Sequence, residues 1–381
     1  MFSSRLKLDL ARNPLSRLLE EKRSAGAKIL DLTESNPTRA GLIYPENEIL
    51  EALADSAALR YEPTPNGLIQ AREAVAQYYM ERGRTVAASN VLLTASTSEA
   101  YSYLFKLLTD PGDEVLVPRP SYPLFEYLAA MESVNVKQYP LRYDGAWHID
   151  FEALERALTK CTRAIVVVNP NNPTGSFLSV EGGRRLEEIA ARSGLAILSD
   201  EVFSDYAFGE ARAHPFSGIA PVFSMSGLSK IAGLPQMKLG WIVVDPGHEE
   251  AIERLEWIAD TFLSVSAPAQ VALPKLLDLS RGIQQQIRER TAANLNLLRE
   301  RVKNSTLNVL NVEGGWNAIL QVPRTRTEEE WTLALLRDRD VLVQPGFFYD
   351  FESEAFLVLS LLTEPITFAE GVRRIVDFAA S

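Results

Sequence analysis

Between about Val91 and Val244, short apolar runs alternate with segments of helical period, and this rhythm restricts the fold more than any other feature of the chain. Such alternation predicts a mostly parallel sheet covered by helices. The expected strands are Val91 to Thr94, Glu114 to Pro118, Ala164 to Asn169, Leu195 to Ser199, Val222 to Met225 and Leu239 to Val244. Between them Ser98 to Leu108, Leu124 to Met131, Asp150 to Leu158 and Ser179 to Arg192 carry the helical period, the last closed by Gly194 at a C-terminal cap. Ligands of such sheets bind beyond the carboxyl ends of the strands. Ser96 to Ser98, Tyr122, Asn172, Asp200 and Lys230 all fall there.

After Asp245 the pattern turns helical, with Glu249 to Leu263 and then Ala269 to Lys303, which is expected to bend near Ser280-Arg281-Gly282. Strands at Trp316 to Gln321, Val341 to Gln344 and Ala355 to Leu361 follow, mixed with two helices. One helix opens on the capping box Thr327-Glu328-Glu329-Glu330 and the other on Thr367-Phe368-Ala369-Glu370. At 381 residues the chain exceeds what one hydrophobic core covers. The expected division is a large α/β domain over 45–275 and a smaller α+β domain built from 1–44 and 276–381.

The formal charge of −11 argues against a polyanionic partner, and no Lys/Arg block interleaved with aromatics points to nucleic acid. Cys161 is the only cysteine, which excludes an intrachain disulfide and a multi-cysteine metal site; a buried or half-buried thiol is expected. His148, His214 and His248 lie far apart, without metal-ligand spacing, and read as structural. Charges interrupt the apolar residues of Met1 to Asp9, and no apolar stretch approaches the ~18 residues of a membrane span. A cytoplasmic protein is expected.

Chemistry concentrates in two residues thirty positions apart. Lys230, in Ser226-Gly227-Leu228-Ser229-Lys230-Ile231-Ala232-Gly233, follows the strand Val222 to Met225 among small residues, where desolvation lowers an amine's pKa and frees the neutral form to attack an aldehyde. Asp200 ends the apolar run from Leu195, placed to hold a pyridine nitrogen protonated. A protonated pyridine is the electron sink of pyridoxal phosphate chemistry. The turn Asn169-Pro170-Asn171-Asn172-Pro173-Thr174-Gly175 presents an amide side chain at a fixed angle, and the start of the helix at Ser98 forms an anion site.

This heptapeptide, Asp200 and Lys230, taken in order, resemble the class I/II aminotransferases, the fold type I pyridoxal phosphate enzymes, over about Glu34 to Ser360. The resemblance implies a seven-stranded-type sheet, pyridoxal 5'-phosphate as cofactor, and an amino donor and keto-acid acceptor as substrates. It implies that Lys230 bonds the cofactor and shuttles the substrate's α-proton, Asp200 pairs with the ring nitrogen, and Asn172 donates to the phenolic oxygen. By the same likeness Tyr122 stacks on the ring, and Ser96, Thr97, Ser98 and Lys238 hold the phosphate. The resemblance also implies that Tyr61 reaches the phosphate of a neighbouring subunit, which would make the protein a homodimer with shared sites.

Three positions depart from the family pattern. Lys238 replaces an arginine on the phosphate, keeping the charge without the bidentate fork. Phe203 replaces a tyrosine that donates to the phenolic oxygen. Val358 stands where the family has the arginine that clamps the substrate carboxylate, a contact that contributes on the order of 1.5 to 3 kcal/mol. Arg39, in Glu34-Ser35-Asn36-Pro37-Thr38-Arg39, is the expected replacement; Asn36, Trp316 and Asn317 are further candidates to face the substrate. Transamination is the leading function. β-Elimination from a cysteine-like substrate is the runner-up, and a non-catalytic cofactor-binding sensor the distant third.

Overall fold

The computed structural model describes residues 3, 5, 13–210, 216 and 218–380; His214 and most of the N-terminal stretch from Met1 to Asp9 lie outside them. Fourteen strands are described, in chain order β1 (Leu30–Asp31), β2 (Val91–Thr94), β3 (Glu114–Arg119), β4 (Asn135–Tyr143), β5 (Trp147–Ile149), β6 (Thr162–Val168) and β7 (Ala196–Asp200). They continue as β8 (Val222–Gly227), β9 (Gly240–Val244), β10 (Asn308–Val309), β11 (Asn317–Gln321), β12 (Val341–Leu342), β13 (Gln344–Pro345) and β14 (Phe356–Ser360).

Eight of these form the large sheet, in the order β2-β9-β8-β7-β6-β3-β4-β5. The expected count was seven. The run β4-β3-β6-β7-β8 is parallel throughout, while β9 runs antiparallel to both of its neighbours and β5 closes the far edge antiparallel to β4. Because β9 is reversed between β8 and β2, the strands β2, β3, β6, β7 and β8 all point the same way. Their carboxyl ends therefore open on one side of the molecule.

Residues of alternate parity along these strands face opposite layers, as a sheet buried on both faces requires. Leu92, Val115, Val117, Val166, Leu198 and Met225 pack with Tyr101, Leu104 and Phe105 of the helix Thr97–Leu108 and Leu255 of the helix Glu249–Asp260. On the other face Leu116, Ile165, Ile197 and Val222 meet Leu186 and Ile189 of the helix Val180–Ser193, and Val91, Leu93 and Trp241 meet Val75 and Leu273. Each such aliphatic side chain contributes about 1.5–3 kcal/mol by leaving water, so the sheet's position is held from both sides. Gly194 caps the helix Val180–Ser193 with φ of 65°, the left-handed turn a C-terminal glycine supplies.

The second domain is built on the four-stranded antiparallel sheet β10-β11-β14-β13, with β1 joined to β12 beside it. Its core gathers Leu320, Trp331, Leu335, Leu357, Leu359, Phe368 and Ile375. The helix Glu328–Arg339 opens on the expected capping box of Thr327 and Glu330.

Three local expectations need correction. The last helix begins at Pro365, two residues before the expected Thr367, because a proline at the first helical position is pre-set for the turn and has no N–H to satisfy. The long segment is one continuous helix, Ala267–Val302, passing without a break through Ser280-Arg281-Gly282 and containing Pro274. Cys161 is exposed in the turn ahead of β6, where its N–H donates to the Thr159 hydroxyl. Among the described residues no helix is long and apolar enough to cross a membrane.

Candidate active site

The strand ends surround a cavity of about 510 Å³, within the size range of cofactor sites. Ser96, Thr97, Ser98, Tyr122, Asn172, Asp200, Lys230, Lys238, Trp316 and Asn317 all line it. Residues from five strand ends of the large sheet thus converge with two from the second domain.

Lys230 sits in the short helix Leu228–Ile231 directly after β8. The hydroxyl of Tyr206 donates to its carbonyl at 2.6 Å and fixes the backbone there. Its Nζ lies 4.9 Å from the ring centroid of Trp316 and 5.5 Å from that of Phe203. Burial lowers the amine from its usual 10.5 to about 8, with Asp200 opposing the shift by favouring the ammonium. A useful fraction of free amine follows near neutrality.

Asp200 ends β7 in the middle of the sheet, where its carbonyl accepts from the N–H of Asn169 at 2.8 Å. The carboxylate is buried. Its Oδ1 accepts from the N–H of Val202 at 3.2 Å and its Oδ2 from the hydroxyl of Tyr101 at 3.0 Å. Burial raises it to about 6; the two hydrogen bonds and the charge of Lys230 oppose that shift, and Glu201 adds to it. Above pH 6 this is a buried carboxylate facing a cavity.

Ser96 is the N-cap of the helix Thr97–Leu108, its Oγ accepting from the N–H of Glu99 at 3.2 Å. The helix's first turn therefore points free N–H groups and hydroxyls at the cavity, the arrangement that binds anions. Lys238 is exposed beside it, in a left-handed conformation with φ of 50°. Gly227 and Gly240 let β8 and β9 come close at this end: a Cβ on Gly227 would lie 2.8 Å from Gly240 Cα. Side chains there would push Lys230 away from the helix N-terminus.

The second domain closes the cavity with an amide wall. Asn317 Nδ2 donates to Asn172 Oδ1 at 2.7 Å, so Asn172 keeps its Nδ2 for the cavity. Gln344 also lines the cavity, and its Oε1 accepts from the Tyr349 hydroxyl. Asn317, Ile319, Val358 and Gln344 share one face of this sheet, since Ile319 and Gln344 both pair with Val358 and Asn317 pairs with Ser360. Val358 is buried between Ile319 and the cavity-lining Gln344. Lys230 and Lys238 are the only cations lining the cavity among the described residues.

Three candidates fall outside. Arg39 is exposed at the end of the turn Pro37–Arg39, and Asn36 spends its Oδ1 on the N–H and hydroxyl of Thr38; neither lines the cavity, to which this loop contributes Thr33 and Ser35. Tyr61 is 81% exposed and lines a separate cavity with Arg60 and Tyr103. Sequence reasoning did not single out Tyr101, Tyr206, Gln344 or Tyr349. Tyr101 and Tyr206 act on groups about a hundred and about twenty-four residues away, so only the folded chain pairs them.

A family model described as aminotransferase class I and II matches residues 27–372. The chain belongs to the class I and II aminotransferases. It is 30% identical over 281 residues to the glutamate-pyruvate aminotransferase AlaA of Escherichia coli strain K12, covering 72% of this chain and 69% of that protein. The crystal structure of an Escherichia coli aminotransferase superposes with a TM-score of 0.88 at 26% identity, over 100% of this chain and 98% of that one. The alanine aminotransferase from Pyrococcus furiosus shares the fold at a TM-score of 0.90 and 23% identity, over all of both chains. The chain is thus a transaminase, and the relatives favour amino transfer over elimination. Enzymes of this family use pyridoxal phosphate.

Proposed function

We propose that this aminotransferase holds pyridoxal 5'-phosphate in the Lys230 cavity and moves an amino group from an amino acid to a keto acid in two half-reactions. The observation that carries the reading is the convergence of a desolvated amine and a buried carboxylate on one cavity beside a free helix N-terminus. The donor set fits the cofactor: amine for its aldehyde carbon, carboxylate for its ring nitrogen, helix N–H groups with the Ser96, Thr97 and Ser98 hydroxyls and Lys238 for its phosphate. Asn172 Nδ2 suits the phenolic oxygen, and Tyr122 supplies an aromatic face. When bound, the cofactor supplies an electron-accepting ring that stabilises the charge left on the donor's α-carbon.

The protein's own part is positional and acid–base. Asp200, ionised above pH 6, is the carboxylate that would hold a proton on the ring nitrogen. Lys230 Nζ is the buried amine that would take the proton from the donor's α-carbon and return one in the second half. Phe203 and Trp316 keep water from that amine.

The carboxylate-binding arrangement is the unusual part. With Val358 buried and Arg39 away from the wall, the substrate's carboxylate meets the Gln344 and Asn317 amides and Ser35 instead of a guanidinium. Neutral donors give shorter-range and weaker attraction than a bidentate arginine. Tyr61, exposed and outside the cavity, is suited to serve the phosphate of a neighbouring subunit, and Leu59 at 89% and Trp257 at 78% exposure supply apolar surface for a dimer.

The test is amino transfer from L-glutamate, L-alanine, L-tyrosine or L-aspartate to pyruvate or 2-oxoglutarate by the coenzyme-loaded protein. New amino acid formed in proportion to donor consumed is the expected result. Pyruvate and ammonia released without acceptor, or no turnover with any pair, overturns the reading. Gln344→Glu, which sets a charge against the substrate's carboxylate, is expected to raise KM at least about tenfold with little change in kcat; an unchanged KM removes Gln344 from the substrate wall.

A further inference from the structure

Every polar contact around Asp200 has an evident structural source except the one from Tyr101. The Val202 N–H is the next-but-one backbone donor, local to the turn after β7. Tyr101 comes from ninety-nine residues away and is itself buried, at 3% exposure. A buried phenol is costly unless its hydroxyl finds a partner, and this one finds a carboxylate. Its ring is locked by Phe125 at 5.4 Å and 77° and by Phe105 at 5.9 Å and 44°, so the hydroxyl has little freedom to turn elsewhere.

Where Tyr101 sits on its helix matters as much as what it touches. The helix Thr97–Leu108 opens at the cavity with Ser96, Thr97 and Ser98, and Tyr101 follows Ser98 by three residues. Three residues advance about 4.5 Å along a helix axis, close to one turn. One rigid element therefore carries an anion-binding end and, a turn deeper, the donor that grips Asp200. A planar ring with a phosphate arm at one side and a basic nitrogen at the other has two polar ends to be held, and this helix sets the spacing between them.

Resting on the pyridoxal phosphate reading above, we propose that Tyr101 is the positioning residue for Asp200: its hydroxyl holds the carboxylate ionised and aimed into the cavity, so that the proton shared with the coenzyme ring stays on nitrogen. A carboxylate has about four lone-pair sites. Tyr101 takes one on Oδ2 and Val202 one on Oδ1, which leaves acceptor capacity on the side that lines the cavity. A hydrogen bond to the charged form lowers its proton affinity, so the donor works against transfer of the ring proton to Asp200. The other ionisable groups acting on Asp200 are Glu201, next in the chain, and Lys230 across the cavity; Tyr139 faces Tyr101 from β4.

The experiment compares Tyr101→Phe, which deletes only the hydroxyl, with Phe105→Leu, which disturbs the same packing and leaves the hydroxyl in place. In protein freed of coenzyme, carbon NMR of labelled aspartate follows the Asp200 titration. In loaded protein, nitrogen NMR of ring-labelled pyridoxal phosphate reports whether that nitrogen carries the proton. We expect Tyr101→Phe to raise the Asp200 midpoint by about one to two pH units, the size of a hydrogen bond to a charged group. The ring-nitrogen signal should move toward that of unprotonated pyridine, and donor deamination should slow about 10- to 100-fold. Phe105→Leu should leave both resonances where they are. An unmoved Asp200 midpoint in Tyr101→Phe, or an equal shift in Phe105→Leu, overturns the proposal. Failure of the unmutated protein to bind the coenzyme would instead sink the cofactor reading, while the carbon titration still decides whether Tyr101 grips Asp200.

Discussion

The Lys230 amine offers the sharpest quantitative check. Its surroundings, aromatic faces 4.9 and 5.5 Å from Nζ, bring it to about 8 from 10.5. At pH 7 an amine at 8 is about 10% neutral and one at 10.5 about 0.03% neutral, so Lys230 holds roughly 300 times more free amine than an ordinary lysine. Coenzyme-free protein is pulsed with a simple aldehyde and a borohydride from pH 6 to 10, and each lysine peptide is quantified by mass spectrometry. The rate at Lys230 should climb tenfold per pH unit below 8 and level off above it, while exposed lysines keep climbing. Asp200→Asn removes the neighbour that favours the ammonium and should move the Lys230 midpoint lower. A Lys230 midpoint above 9.5, or an upward move in Asp200→Asn, refutes the desolvation argument.

Three further outcomes follow from the geometry. Asp200 has a folded value near 6 against an ordinary 3.8, so its burial costs almost nothing at pH 3 and about 3 kcal/mol once pH exceeds 6; Asp200→Asn should therefore melt higher than the parent at pH 8 without coenzyme and equally at pH 3, as followed by calorimetry, while losing transamination. Gly227→Ala places a Cβ 2.8 Å from Gly240 Cα and 2.9 Å from Leu239 O, both backbone, so a loss of about 1–3 kcal/mol in denaturant unfolding is expected together with weaker coenzyme affinity; a neutral result removes close strand approach as the reason for this glycine. If Tyr61 serves a neighbour's site, mixing inactive Tyr61→Ala and Lys230→Ala proteins through unfolding and refolding should restore about a quarter of the sites, and a mixture that stays inactive puts Tyr61 outside any shared site.

How much was legible beforehand depended on whether the signal was local. The buried strands announced themselves as apolar runs: Val91 to Thr94 is β2 residue for residue, and Lys230, Asp200 and Asn172, each just after a predicted strand, line one cavity. The strand β4 was missed because Asn135–Tyr143 buries only Tyr139 and contains Pro140, which reads as a loop. The start of the last helix was misplaced by preferring a Thr–Glu spacing over the Pro365 signal. Arg39 was chosen for its charge and its place near the substrate loop, yet charge alone does not bring a side chain to a wall, and Thr33 and Ser35 line the cavity instead. Tyr101, Gln344 and the Asn172–Asn317 bond join segments distant in the chain, and no pattern within either segment announces them.

The helix Ala267–Val302, 36 residues and about 54 Å long, packs at its start on the helices Glu46–Leu53 and Ile69–Met80 of the large domain and farther along on Pro365–Ala379 of the small one. The two lobes share a beam where many proteins have a slack tether. Any change in the angle between them must act through this one helix, which carries Pro274, and with it one unmade rung of the ladder, in the part packed on the large domain.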